Sequence, residues 1–213
     1  MTQILIADDH GIVRLGTSIV VKEAVPKAEV TQAEDFDQMI QLLSKKEFDL
    51  LLLDINMPGG NNIKMVEKVL SLLPNIRILV FSSYDESVYA LRYLQAGASG
   101  YLNKNSTNAD LKEAVLAVLN RGKYMSPEVQ EIYFNSLTQG KTAAQGDNPL
   151  NKLSNREVDV AKHLVQGMGI MEVSKSLNLS TSTVSTYKTR IFEKLQVENI
   201  AELIEIFRLH TNP

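Results

Sequence analysis

The sequence has no cysteine, which removes disulfides, thiolate chemistry and cysteine-ligated zinc from consideration. It has only three histidines, His10, His163 and His210. They are too scattered for a metal-spaced cluster and read as surface or packing residues. No apolar run approaches the roughly 20 residues that cross a bilayer. The first residues enter a strand pattern without the basic, apolar and small-residue succession of a signal peptide. These absences predict a soluble, cytoplasmic protein with no membrane partner. A strong charge excess is missing as well. Net charge is −3 over 213 residues, and it divides unevenly. Residues 1–149 carry 14 Lys and Arg against 18 Asp and Glu, a balance of −4, whereas residues 150–213 carry 8 against 7, a balance of +1. The second balance is too small to argue nucleic-acid binding from charge alone.

What is present is apolar material, 44% of the chain, enough for the core of one large domain or two small ones. Its densest stretch is Leu50-Leu51-Leu52-Leu53, followed by Asp54 and, four residues later, Pro58. Four leucines in a row predict a strand buried on both faces. Proline has no N–H to continue a ladder, so the strand ends before it and Asp54 stands at its carboxyl end. Asp8 and Asp9 close a first strand, Gln3–Ala7, in the same way.

Around these runs, strand and helix patterns alternate. A helix over Gly11–Ala24 places Ile12, Leu15, Ile19 and Val20 on one side. Glu29–Ala33 reads as a weaker, edge strand and Asp37–Lys45 as a helix. Ile63–Leu73 is a helix ended by Pro74, and Arg77–Phe81 a strand. Glu86–Ala96 is a helix stopped by Gly97, Gly100–Leu102 a strand, and Ala109–Asn120 a helix with Gly122 past its end. Five βα repeats with short joints predict right-handed crossovers and an α/β fold: a flavodoxin-like, five-stranded parallel sheet of order 2-1-3-4-5 with helices on both faces. This domain is expected over residues 1–124.

Residues 125–150 read as one more helix, capped by Ser126 with Pro127 at its first position, and a flexible linker from Thr138 to Leu150. From 151 to 213 the period is purely helical. Ser154-Asn155-Arg156-Glu157 forms a capping box, Gly167 and Gly169 interrupt, Met171–Leu177 is short, Ser180 caps a longer helix, and Ile200–Leu209 closes the set. Four compact helices suggest an all-α helix-turn-helix domain, with a plain four-helix bundle as the other arrangement the pattern allows.

Parallel strands would bring Asp8, Asp9 and Asp54 to one sheet edge, where α/β proteins bind ligands. Clustered carboxylates need a cation, and their hard oxygens suit Mg²⁺. An aspartate beside Mg²⁺ can attack a phosphoryl donor. Such chemistry also uses a cation for the transferred oxygens and a nearby hydroxyl, and Lys104 and Ser82 end the fifth and fourth strands on the same edge. Each residue alone reads as an ordinary turn or surface residue, but five of them ending four strands of one sheet do not. An aspartate-nucleophile phosphohydrolase shares this edge. It would usually carry a second aspartate where Asn56 stands, and no cap domain is evident.

The motifs Asp8-Asp9, Asp54-Ile-Asn-Met-Pro58, Ser82 and Gly97-Ala-Ser-Gly-Tyr-Leu-Asn-Lys104 resemble the receiver domain of two-component response regulators. The resemblance implies Asp54 as phosphoacceptor for a sensor histidine kinase. It also implies Mg²⁺ held by Asp8, Asp9, Asp54 and the Asn56 carbonyl, with Lys104 and Ser82 on the phosphoryl group. Tyr101 would be the aromatic switch that fills space left when Ser82 moves inward. Asn105, where many receivers have proline, and Gly59-Gly60-Asn61-Asn62 depart from the usual pattern.

Further on, Leu153-Ser-Asn-Arg-Glu157, Gly167, Val173, Leu177, Leu179-Ser180, Thr183-Val184, Lys194-Leu195 and Val197 resemble the LuxR-type helix-turn-helix. Together the two resemblances imply a NarL/FixJ-type regulator that binds double-stranded DNA under control of phosphorylation, and not an enzyme beyond its own phosphorylation and dephosphorylation. A DNA-binding regulator independent of phosphorylation is disfavoured because all five edge residues are present. The run Val184-Ser-Thr-Tyr-Lys-Thr-Arg190 has tyrosine where histidine is common and resembles the subgroup of the virulence regulator BvgA. At about 100° per residue, Val184, Ile191 and Leu195 face inward. Ser185, Thr186, Thr189, Arg190 and Glu193 face outward, and Tyr187 and Lys188 flank the buried stripe. Ser185, Thr186 and Thr189 are expected at base edges, and Lys188, Arg190 and Lys194 at phosphates. One domain at +1 should bind weakly, so a homodimer formed on phosphorylation is expected.

Overall fold

The computed structural model describes residues 1–60, 63–84, 86–138 and 149–210. Asn61 and Asn62, and nearly all of the expected linker, lie outside the described residues. The chain divides into two compact units, Met1–Thr138 and Gln139–Pro213.

The first unit is an all-parallel sheet in the order β2-β1-β3-β4-β5, as the alternating pattern predicts. Its strands are β1 (Gln3–Ala7), β2 (Glu29–Ala33), β3 (Leu50–Leu53), β4 (Arg77–Ser82) and β5 (Gly100–Asn103). All four leucines of β3 are buried, because helices cover both faces of a parallel sheet. Ile4, Ile6, Leu50, Leu52, Leu79 and Leu102 share one core with Val20 and Val21 of α1 (Gly11–Ala24) and with Leu111, Ala114, Val115 and Val118 of α5 (Asn108–Arg121). The alternate residues Leu5, Leu51, Leu53, Ile78 and Val80 are equally buried. By the two-residue period they face the other side, where right-handed crossovers put α2 (Phe36–Lys45), α3 (Lys64–Leu72) and α4 (Glu86–Gln95).

Two expectations change on this scaffold. Val20 is buried on α1, but Ile12, Leu15 and Ile19 are 88%, 60% and 53% exposed. The buried face is made instead by Thr17, Ser18, Val20 and Val21. The helix thus carries two apolar faces, and only one meets the sheet. The helix after Ser126, α6 (Pro127–Thr138), packs on α4, so the first compact unit runs past residue 124 to Thr138.

Gly97 ends the turn after α4 with φ +102°, and a Cβ there would lie 2.6 Å from Leu70 Cδ1. Gly97→Ala is therefore expected to cost about 1–3 kcal/mol of stability, read as a lower urea midpoint with an unchanged m-value.

The second unit contains α7 (Asn155–Val165), α8 (Ile170–Ser176), α9 (Thr181–Leu195) and α10 (Ile200–His210), preceded by a 3-10 turn, Pro149–Lys152. The Ser154–Glu157 capping box is formed at α7, and Ser180 caps α9 by accepting from the Thr183 N–H at 3.1 Å. Between α8 and α9 the chain turns through Asn178, a left-handed residue at φ 51°. The Leu179 N–H donates to the Ser174 carbonyl at 2.9 Å, and Ser174 Oγ returns a bond to the Leu179 carbonyl at 2.6 Å. That reciprocal pair fixes the helix-turn-helix corner. Val173, Val184, Ile191 and Leu195 are buried within the unit.

Candidate functional site

Strand register brings the acidic edge together. Ala7 is level with Leu53, so Asp8 and Asp54 leave adjacent strands at the same height. The Asp54 N–H donates to the Ala7 carbonyl at 2.8 Å and the Asp8 N–H to the Ala33 carbonyl at 3.1 Å. Ser82 is paired with Asn103 at the ends of β4 and β5, and the Lys104 N–H donates to the Ser82 carbonyl at 2.8 Å. Lys104 thereby enters from the far side of the edge. Its Nζ lies 2.6 Å from Asp8 Oδ2 and 2.8 Å from Asp54 Oδ2. Asp8, Asp54 and Ser82 are buried, and Asp9 is exposed.

Burial raises the Asp54 carboxyl above the usual carboxylate range, with Lys104 offsetting part of that shift. Burial works against charge on Lys104, but Asp54 and Asp8 outweigh it and hold the ammonium above its ordinary value. The edge is thus a carboxylate cluster with more negative charge than one lysine neutralises.

Asp8, Asp9, His10 and Asp54 each offer one ligand atom, all within 4.8 Å of one another. The oxygen donors of the three aspartates are of the kind Mg²⁺ takes. Asn56 is half-buried beside them, its N–H donating to Asp54 Oδ1 at 3.0 Å. His10 is exposed, as its reading as a surface residue has it, and its Nδ1 also lies 2.8 Å from Asp9 Oδ1 and 3.2 Å from Asp8 Oδ1, beside the acidic edge. Its position directly after Asp8-Asp9 was the available signal. Arg14 was missed, and its guanidinium donates to the Asp8 carbonyl.

Tyr101 is 1% exposed and already points inward. Its hydroxyl donates to the Tyr84 carbonyl at 3.0 Å, and the Asn103 side-chain amide donates to the same oxygen at 2.9 Å. Burial pushes the phenol well above its ordinary pKa.

On α9, Ser185, Thr186, Thr189 and Arg190 are exposed, and Tyr187 and Lys188 are half-buried. The hydroxyls of Thr186 and Thr189 donate to the carbonyls of Ser182 and Ser185, one turn back, at 3.0 and 3.2 Å. Lys188 Nζ sits 5.3 Å from the centroid of the Phe192 ring. Lys194 is exposed, and its Nζ lies 2.6 Å from Oε2 of the buried Glu157, an ion pair with which a phosphate would have to compete.

Residues 4–116 match the family model of the response regulator receiver domain, and residues 151–207 match that of bacterial regulatory proteins of the luxR family. The chain is a two-component response regulator. It belongs to the NarL/FixJ family, transcription regulators that join a receiver to a LuxR-type DNA-binding domain. The response regulator GacA of Pseudomonas aeruginosa is 31% identical, over 95% of this chain and 94% of its own. The fimbriae Z protein of Salmonella typhimurium is 33% identical, over 97% and 96%. RcsB of Salmonella enterica serovar Typhimurium, solved on the rprA promoter with the phosphomimetic BeF3-, is similar with a TM-score of 0.55 and 27% identity, over 98% of this chain and 99% of RcsB. A structure of two RcsB dimers bound to two parallel DNAs gives 0.58 and 27%, over 97% and 98%. Among the described residues, no helix is long and apolar enough to cross a membrane.

Proposed function

We propose that Asp54 is the phosphoacceptor of this response regulator, and that its phosphorylation raises the population of a homodimer that binds DNA. The observation that carries the reading is Lys104, held between two buried carboxylates where a phosphoryl group on Asp54 would place its charge. An Asp54 oxygen attacks phosphorus, the O–P bond forms, and the bond to the donor's histidine nitrogen breaks with its electron pair left on the imidazole. Lys104 and Ser82 then face the transferred oxygens. Asp8, Asp9, Asp54 and the Asn56 carbonyl would hold Mg²⁺, which supplies charge neutralisation for the incoming phosphoryl oxygens. Tyr101 and Asn103 share the Tyr84 carbonyl, so a shift of Ser82 or Lys104 reaches α4 through one backbone oxygen.

On α9, Ser185, Thr186 and Thr189 face base edges, Lys188 and Arg190 reach phosphates, and Tyr187 lies beside the backbone. The balance of +1 in residues 150–213 favours paired domains, which gain by effective concentration. RcsB, solved as dimers on DNA, supports the same arrangement. Incubation with acetyl phosphate should give a one-phosphoryl mass adduct that chelator prevents. An equal adduct on Asp54→Asn, or one indifferent to chelator, refutes the assignment.

A sensor histidine kinase must bring its phosphohistidine to this edge. The exposed stripe Ile12, Leu15 and Ile19 begins two residues beyond His10 and fits an apolar helix face of such a donor. Leu15→Asp is expected to slow transfer from the kinase at least ten-fold, since about 1.4 kcal/mol of lost docking suffices. Labelling by acetyl phosphate should stay as in the wild type. A parallel loss of both would place the defect in the acidic edge and not in docking.

A further inference from the structure

Glu86 opens α4, and its carboxylate is shared between two other elements. Oε1 accepts the Asn103 N–H at 2.7 Å, and Oε2 accepts the Ser126 hydroxyl. Asn103 closes β5 one residue before Lys104, and Ser126 directly precedes α6. The chain that leads into α6 runs parallel to β5. Gly100 bridges to Tyr124, and the Tyr124 N–H donates to the Ser99 carbonyl at 2.9 Å. Ser126 is thereby carried toward the same strand end as Lys104. A cleft of about 730 Å³ opens at this junction, lined by Glu86, Asp110 and Glu128 among others and by no lysine or arginine. The half-buried Glu86 carboxylate thus sits among like charges, and its two hydrogen bonds keep it there.

We propose that Glu86 is a positioning residue that latches the start of α6 to the phosphoacceptor edge, and that phosphorylation of Asp54 opens the latch. The proposal rests on the reading of Asp54 as phosphoacceptor. The phosphoryl oxygens draw in the Lys104 ammonium and the Ser82 hydroxyl. Asn103 is paired with Ser82, and the Lys104 N–H is bonded to the Ser82 carbonyl at 2.8 Å, so the end of β5 moves with them. Withdrawal of the Asn103 N–H leaves the Glu86 carboxylate with one donor in an acidic cleft. Water in the cleft then replaces Ser126, because a half-buried charge short of donors is costly. The tie between α6 and the first turn of α4 is lost. α6 is the last element of the first unit, so the latch acts where the chain leaves the receiver for the DNA-binding helices. The coupling is reciprocal: a change that opens the latch must favour the phosphorylated state by the same factor.

The test is hydrogen exchange of the α6 amides in the full chain, with and without beryllofluoride and Mg²⁺, together with the affinity for beryllofluoride. Wild type is compared with Glu86→Ala, Glu86→Gln and Ser126→Asp. Glutamine can accept from Asn103 through its oxygen and donate to Ser126 through its amide, so it keeps the latch. Ser126→Asp keeps an N-cap for α6 but sets a second carboxylate against Glu86. Beryllofluoride should speed α6 exchange in the wild type about five-fold or more. Glu86→Ala and Ser126→Asp should exchange that fast without it and bind beryllofluoride more tightly by the same factor. Glu86→Gln should behave as the wild type. α6 exchange indifferent to beryllofluoride overturns the proposal. So does fast exchange in Glu86→Ala with beryllofluoride affinity unchanged or weakened, the mark of a plain packing tie. Labelling of Asp54 by acetyl phosphate tests the parent reading separately. Labelling without any response in α6 sinks the latch alone, and absent labelling sinks both.

Discussion

Lys104→Met is expected to destabilise the receiver unit by about 3–5 kcal/mol at neutral pH, read as a fall in the urea midpoint. The Lys104 ammonium spans Asp8 and Asp54 at 2.6 and 2.8 Å, and both carboxylates have side chains only 3% exposed. What would remain to them are the backbone N–H groups of His10 and Asn56 and, for Asp8, the His10 ring Nδ1 at 3.2 Å. These solvate a charge without cancelling it. Two carboxylates would then face each other at neighbouring strand ends, in a site where burial already disfavours the ionised Asp54.

The pH dependence of that deficit has a definite direction. A carboxyl whose native pKa lies above its unfolded value contributes its full stability below the unfolded value. It loses that contribution as pH rises through the native one. Asp54 is such a group, and removing Lys104 widens the gap. The deficit of Lys104→Met should therefore be largest at neutral pH and shrink as pH falls toward the ordinary carboxylate range. Adding Asp54→Asn should recover most of it, because one charge and the repulsion disappear together. Mg²⁺ should do the same by mass action. A deficit equally deep at acid pH, and untouched by Asp54→Asn or Mg²⁺, would mean that the lysine stem was lost as packing and that charge mattered little.

The edge was legible in the sequence because each of its residues follows an apolar run, and parallel register fixes strand ends relative to one another. Leu50–Leu53 and Gln3–Ala7 could not be buried side by side without bringing Asp54 beside Asp8. Helix faces were less legible. Spacing marks Ile12, Leu15 and Ile19 as sharing a face, but only tertiary packing decides that Thr17, Ser18, Val20 and Val21 take the core. Burying two small hydroxyl residues there lets α1 approach the sheet and α5. His10 has no histidine near it in the sequence to suggest a cluster; its partners are the aspartates next to it. Glu157 was accounted for locally by the capping box, so nothing in the sequence pointed to Lys194, 37 residues away. That pairing exists only because α7 and α9 pack together.

Lys194 and Lys188 should accordingly separate when DNA binding and stability are measured on the same variants. Lys194 Nζ lies 2.6 Å from Glu157 Oε2, an oxygen that also accepts from the Ser154 N–H at 2.7 Å and the Ser154 hydroxyl at 3.0 Å. The ion pair ties the end of α9 to the start of α7. Lys194→Met leaves a buried carboxylate with neutral donors only, at a cost of about 1–3 kcal/mol, visible as a lower melting temperature of the helical unit. Lys188 rests over the Phe192 ring, a contact it can give up for a phosphate. Lys188→Ala should leave melting nearly unchanged and weaken binding to all sequences alike. The slope of log K against log salt should fall by about one per subunit. Both variants weaken binding at low salt, so affinity alone does not distinguish them; the slope does. If Lys194→Met flattened the slope by one while melting stayed at the wild-type value, the Glu157 pair would have to open on DNA, and Lys194 would be a phosphate contact after all.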